Sequence, residues 1–349
     1  MADINTFRDP PALPPDGFNP VDNPADAAKL DQFWLPPKPD PVKQAALFDH
    51  WREMLSPPPT FVHADSQPAD TTLPRATDVD EVVDPPPPPG HPVASPHAVA
   101  FGLPLSPPTA RSRNWSGAFL EPAGASRFVR AVAAWTVPSI KPGERSALEP
   151  PEVPFRCSIW IGIDGKKTTT HSMPQLGSMH EITEQGAQVH GLWWQWWRRG
   201  YSKQDGLPFN VKGVKIDAGD RVMCSLVALS RTSVRMHFLN RTKNLFATLQ
   251  VDGAAPIKGL TTEWIVERPA DFTRAMSPTD PGPLFPLPDF GVLEMDKCVA
   301  DHGVLPIPAW TPKFVNMVQQ FTNPDRRPVI SQPSRDAEQG RVRLKYIRP

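Results

Sequence analysis

The sequence predicts an all-β fold, an antiparallel two-sheet β-sandwich, carrying a proline-rich and mostly irregular N-terminal arm. Three observations predict it. From about residue 112 onward, apolar and polar residues alternate in short runs, the period of a half-buried strand. Turn residues end the runs, as at Pro138, Asp164-Gly165 and Asp252-Gly253, a rhythm that suits a sandwich. Proline crowds the chain before residue 111 and thins after it, with 25 of the 47 prolines in residues 1–110. The 349 residues therefore divide into an arm, 1–110, and a body, 111–349, long enough to bury one sizeable core.

Proline fixes φ and lacks an N–H donor, so the arm, with its run Pro85 to Pro89, is expected to be extended or disordered and to build neither a sheet nor a long helix. Two short helices are expected within it. One starts at Asn23-Pro24, with Ala27, Leu30 and Phe33/Trp34 on one face; the other starts at Asp40-Pro41, with Ala45, Phe48 and Trp51 on one face. Helices this short need a surface to dock on. The arm holds 15 acidic and 6 basic residues and the body 22 acidic and 31 basic, so charges of −9 and +9 cancel. Arm and body should attract at neutral pH. Two roles are open for the arm: a pro-segment that contacts the body, covers a groove there and leaves on acidification, or a disordered tail.

In the body, Val129, Ala131, Ala133, Trp135 and Val137 alternate up to Pro138, and Cys157, Ile159, Ile161 and Ile163 up to Asp164. Val222, Cys224, Leu226 and Ala228 follow the turn Ala218-Gly219-Asp220; Val234, Met236 and Phe238 run to Asn240; Leu245, Ala247 and Leu249 lead to Asp252-Gly253; Val342, Leu344 and Tyr346 come last. Each is expected to be a strand. In the run Leu192-Trp193-Trp194-Gln195-Trp196-Trp197, Leu192, Trp194 and Trp196 face one way and Trp193, Gln195 and Trp197 the other. One face suits the core. The other, two indoles around an amide, suits either the wall of a groove for extended chains or a strand buried on both faces.

Several chemistries are not called for. Balanced charge gives nucleic acid no basic footprint, no stretch is apolar enough to span a membrane, and the first residues lack the basic and apolar regions of a standard signal peptide. Cys157, Cys224 and Cys298 form no CxxC and no even framework; they are expected as small buried hydrophobes, one bridge remaining open. His171, His180, Glu181 and His190 match no common zinc spacing, and HExxH, GxSxG and Walker patterns do not occur. No metal or cofactor is expected, and the chain is expected to be a monomer. Asn114-Trp115-Ser116 and Asn240-Arg241-Thr242 are formal glycosylation sequons.

Six stretches, in order, carry a resemblance: Asn114 to Ala118, Ala134 to Pro138, Trp160 to Gly165, Gln175-Leu176-Gly177, the tryptophan run, and Glu263-Trp264-Ile265-Val266-Glu267. Over about residues 112–347 the chain resembles the glutamic peptidases, or eqolisins (family G1, formerly A4). The resemblance implies a sandwich of the concanavalin A-like type whose concave sheet is the cleft, and an endopeptidase working in acid without metal, serine or cysteine. It implies Glu263 as the base and acid that serves the attacking water and the leaving amine, and Gln175 as the amide donor to the oxyanion. It places Trp160, Asp164, Trp193, Gln195 and Trp197 at the substrate, makes polypeptides the partners, and favours a secreted location. The chain departs from the pattern at Gly191 and Gln195, where the family usually has acids, at Trp197, where it has an aromatic hydroxyl, and at Leu176, where it has threonine; the family's disulfides are unmatched. Fewer like charges near Glu263 should lower its pKa relative to the family. The alternative function is an inactive lectin-like module that binds a polypeptide or glycan in the same aromatic groove.

Overall fold

In the computed structural model, each alternating run of the body is a strand whose apolar residues share one face. The structure describes residues 5–69, 109–146, 149, 151, 153–167, 169–198, 208–253, 255–271, 283–303, 310–319, 328–334 and 339–348; the run Pro85 to Pro89 lies outside them. The arm supplies β1 (Thr6–Arg8), α1 (Pro24–Ala27), α2 (Ala45–Leu55), β2 (Thr60–His63) and β3 (Ser66–Pro68). The body begins with β4 (Thr109–Ser112), β5 (Trp115–Leu120), β6 (Arg130–Thr136), β7 (Phe155–Ile163), β8 (Ser172–Ile182) and β9 (Gln188–Arg198). It continues with β10 (Phe209–Val211), β11 (Arg221–Ala228), β12 (Ser233–Asn240), β13 (Leu245–Asp252) and β14 (Thr262–Glu267). The last strands are β15 (Val292–Asp301), β16 (Lys313–Val318), β17 (Val329–Pro333) and β18 (Val342–Tyr346).

Two antiparallel layers result. One runs β13–β12–β11–β6–β15–β18. The other runs β16–β5–β14–β7–β8–β9–β10, and β17 pairs with both β16 and β18. Between the layers lies one apolar core. It takes Ala131, Ala133 and Trp135 from β6 and Cys224, Leu226, Met236 and Phe238 from β11 and β12. From the other layer come Ile159, Ile161, Trp194, Trp196 and Trp264. A buried indole N–H usually finds an acceptor; Trp264 Nε1 donates to the Val132 carbonyl (2.9 Å) and Trp135 Nε1 to Ser178 Oγ (2.9 Å). All three cysteines are buried free thiols. His180 and His190 meet on this inner side with Nδ1 atoms 2.8 Å apart, and burial pushes the pKa of each ring down. Both sequon asparagines are buried; Asn240 Nδ2 donates to Lys215 O and Asp220 Oδ2.

The arm differs from the irregular segment its prolines suggest. Its strands do not pair with one another but extend edges the body offers: β1 antiparallel and β2 parallel to β13, and β3 antiparallel to β10. Prolines flank these strands, at Pro10-Pro11 and Pro57 to Pro59, and an edge strand tolerates a missing donor. Asn23 caps α1, its Oδ1 accepting the Ala25 N–H (3.0 Å). α2 starts at Ala45, not at Pro41, and its buried face is Leu47, His50, Trp51, Met54 and Leu55, with Ala45 exposed. Trp51, Met54 and Leu55 of this face, with Phe18, Leu30, Phe33 and Leu35, pack on Ala134, Met223, Leu239 and Phe246, the side of the first layer turned away from the core, and Leu47 packs with Val132 and Val299. Residues 5–69 also touch the second layer along its β9–β10 edge: β3 pairs with β10, Phe7 meets Trp194 and Phe209 edge-on, and Asn5 Nδ2 donates to the Trp196 carbonyl (2.9 Å); the rest of the arm before β4, 70–108, lies outside the described residues.

Candidate active site

Strand parity assigns the site. On β14, Trp264 and Val266 point into the core, so Glu263, Ile265 and Glu267 share the opposite face. On β7 that face carries Ser158, Trp160 and Gly162; on β8 it carries Met173, Gln175 and Gly177; on β9, Trp193, Gln195 and Trp197. The registers align these strands in rows. One row reads Lys313, Phe119, Glu263, Gly162, Gln175, Gln195 across six strands. The next reads Val315, Gly117, Ile265, Trp160, Gly177, Trp193.

Glu263 and Gln175 are therefore two strands apart, about 10 Å between Cα atoms at the usual strand spacing. The residue between them is Gly162, where a Cβ would lie 3.5 Å from Gln175 Cβ and 3.0 Å from the Trp160 ring. With no side chain there, a carboxylate and a carboxamide can lean toward one reacting group. Both residues are 0% exposed. Gln175 Nε2 donates one hydrogen bond to Gln195 Oε1 (3.0 Å), which leaves its second N–H to point elsewhere. Leu176 lies on the core side; Gln195, not the residue after Gln175, fixes the amide. Neither Glu263 oxygen has a well-formed hydrogen bond among the described residues. Burial pushes the Glu263 carboxyl well above the usual glutamate range and Asp164 adds to the shift, while the Thr261 hydroxyl and the Lys166 N–H and charge oppose it.

The other sequence-predicted residues sit around this row. Trp160 Nε1 donates to Glu267 Oε2 (2.9 Å), and its ring meets Trp115 edge-on at 5.0 Å. Trp160 and Trp193 are buried and Trp197 partly buried in one apolar cluster with Trp115, Phe119, Met173 and Met179. Asp164 ends β7 at φ +71°. Its Oδ2 accepts the Lys258 (2.5 Å) and Gly259 (3.0 Å) N–H groups and its Oδ1 that of Leu260 (2.7 Å). Asp164 thus anchors the loop that leads into β14 and Glu263. Not foreseen from the sequence were Gly162 as a spacer, Phe119, Thr261, Glu267 and Lys313. Glu267 was visible in principle, since 263, 265 and 267 share a face; Phe119 and Lys313 enter only through strand register.

The sequence profile of the Peptidase A4 family matches residues 113–326. The solved structure of scytalido-glutamic peptidase with a transition state analog inhibitor superposes with a TM-score of 0.52 at 19% identity, over 67% of this chain and 98% of that one. The same enzyme with a peptide based transition state analog gives 0.51 at the same identity and coverage. Aspergilloglutamic peptidase from Aspergillus niger is 21% identical over 55% of this chain and 99% of that one, with a TM-score of 0.43. No curated protein matches the sequence. The two structural likenesses above 0.5 speak for the fold, and the profile match, which takes in every strand from β5 to β16, decides the kinship: the chain belongs to the Peptidase A4 family, the glutamic peptidases or eqolisins.

Proposed function

We propose that this chain is an endopeptidase that cuts polypeptides in acid with Glu263 and Gln175 as its dyad. The observation that carries the reading is their placement on one face of the second layer, in register across Gly162. Ionised Glu263 takes a proton from the attacking water as the water oxygen bonds to the scissile carbonyl carbon. The oxyanion that forms accepts the spare Gln175 N–H. Glu263 then returns the proton to the leaving nitrogen as the C–N bond breaks. A carboxyl held in a dry site is a stronger base once ionised, while in acid the raised pKa keeps most chains in the protonated form and only the ionised fraction starts the reaction. Trp160, Trp193 and Trp197 offer apolar walls to an extended substrate.

The test is cleavage of denatured casein by the full chain from pH 2 to 7, with pepstatin and EDTA as controls. Insensitive cleavage is expected. Gln175→Ala should lower kcat by about 10²–10³, and Glu263→Gln should lower it by at least about 10². Cleavage that survives Glu263→Gln, or activity maximal at pH 8, would overturn the reading. Tight polypeptide binding without turnover at any pH would mark a binding module instead.

A further inference from the structure

The row that holds Glu263 has a basic end. Lys313 lies in the catalytic row, directly opposite Phe119, which is opposite Glu263. Its Nζ is 2.7 Å from Glu121 Oε2, and Lys167 Nζ is 3.6 Å from the other oxygen of the same carboxylate. Two ammonium groups share one carboxylate, so the group keeps a surplus positive charge. Burial opposes ionisation of Glu121, but the Lys313 hydrogen bond and the Lys167 charge hold its carboxyl below the usual range. Lys166 stands at the same end, with Nζ 5.4 Å from the centre of the Phe119 ring. Lys313 and Lys167 are 44% and 37% exposed, whereas Glu263 is fully buried. This end of the row therefore meets solvent.

We propose that Lys313 and Lys167 select peptides carrying a carboxylate close to the scissile bond, on the β5 side of Glu263. The selection rests on the peptidase reading of the same row. Lys313 is two strands from Glu263, about 10 Å between Cα atoms. A side chain one to three residues from the scissile carbonyl spans that distance in extended substrate, at about 3.3 Å per residue. A carboxylate there adds a partner to a cationic pair that already has too few; a lysine there meets two like charges. The carboxylate can belong to an Asp or Glu side chain or to a free C-terminus.

Two matched peptide series test this in the full chain. One varies a single position among Glu, Gln and Lys on either side of the cleaved bond; the other compares a free with an amidated C-terminus. The readout is the ratio of kcat/KM for Glu over Gln, at pH 5 to 6, where peptide carboxylates are ionised. We expect a ratio of about ten at one position, falling below one in Lys313→Glu and to about one in Lys313→Met. A strong free-over-amidated preference with no side-chain preference assigns the carboxylate to the chain end. Equal rates across both series in the unaltered chain, or a preference that survives Lys313→Glu, would overturn the proposal. Binding of the same peptides to the Glu263→Gln chain, followed by fluorescence anisotropy, separates this inference from the one beneath it. A Glu-over-Gln preference in binding with no turnover in the unaltered chain would sink the peptidase reading alone.

Discussion

Glu263 has no exposed surface and is costly to ionise where it sits. Its pKa is raised by burial first, so between the ordinary carboxyl range and that raised value the native chain holds a proton that the unfolded chain has lost. Stability must therefore fall as pH rises through this window, which opens at about 4.3. Glu263→Gln removes the cost: thermal unfolding should show a higher Tm than the unaltered chain at pH 7 and little difference at pH 3. Gln175 depends on Gln195 for its orientation. A neutral hydrogen bond of about 1 kcal/mol sets the scale. Gln195→Leu should lower kcat roughly five- to tenfold with KM nearly unchanged, while Gln195→Glu, which keeps an acceptor, should retain most of it. Equal losses in the two variants would mean that the position only packs. The sequence could put Gln195 on the face of Trp193 and Trp197. It could not show that Gln175 lies opposite, because that depends on how β8 meets β9.

At the scale of the element, strands were legible wherever one face enters the core and the other does not, as in β6, β7, β11, β12, β13 and β18. β8 was not, for a physical reason. Met173 and Met179 share one face with Gln175, and Leu176 shares the other with Ser178 and His180, so no alternation of polarity survives, and Pro174 argues against an interior strand. The helix α2 is expected from Asp40-Pro41 with Ala45, Phe48 and Trp51 on its apolar face; it starts at Ala45, and its buried face turns on His50, a residue that does not read as apolar. The loop before β14 shows what a single carboxylate does for an element. Three backbone N–H groups converge on Asp164; an amide in its place would turn an NH₂ toward donors. Asp164→Asn is expected to destabilise the chain by about 1–3 kcal/mol, measured by urea unfolding, and to lower kcat as Thr261 and Glu263 shift with the loop. Unchanged stability would show that the loop holds without it.

For the whole molecule, the opposite charges of arm and body predict attraction but not where the arm lies, because β1 to β3 exist only against β10 and β13. Asp31 pairs with Arg235 (2.5 Å), and Glu53 with Lys297 and, at 3.8 Å, Arg221. Two histidines sit in the same seam. His50 of α2 is buried, without a ring partner among the described residues, and its pKa is lowered to about 3 by burial and then by the charges of Lys297, Arg221, Arg130 and His237. His237, whose Nε2 meets the Trp34 carbonyl at 3.0 Å, is also lowered to about 3, by burial first and by Arg235 and Arg130; its carbonyl contacts to Trp34 and Ser225 only partly offset this. Below about 6.5 the unfolded chain takes protons that these native rings refuse, so stability is lost as pH falls from there toward about 3. Limited proteolysis should find residues 5–69 cut readily at pH 4 and protected at pH 7, with His50→Leu protected further into acid; equal cutting at both pH values would refute this. The same seam orders events in time. Pro58 and Asn244, joined by a hydrogen bond, are 186 positions apart, so a ribosome adding 5–20 residues per second leaves the arm waiting on the order of 10 to 40 s for its partner. This segment is made well before the strands it needs and is among the last that can find its place, and during that interval a segment rich in proline is slow to pair with anything else.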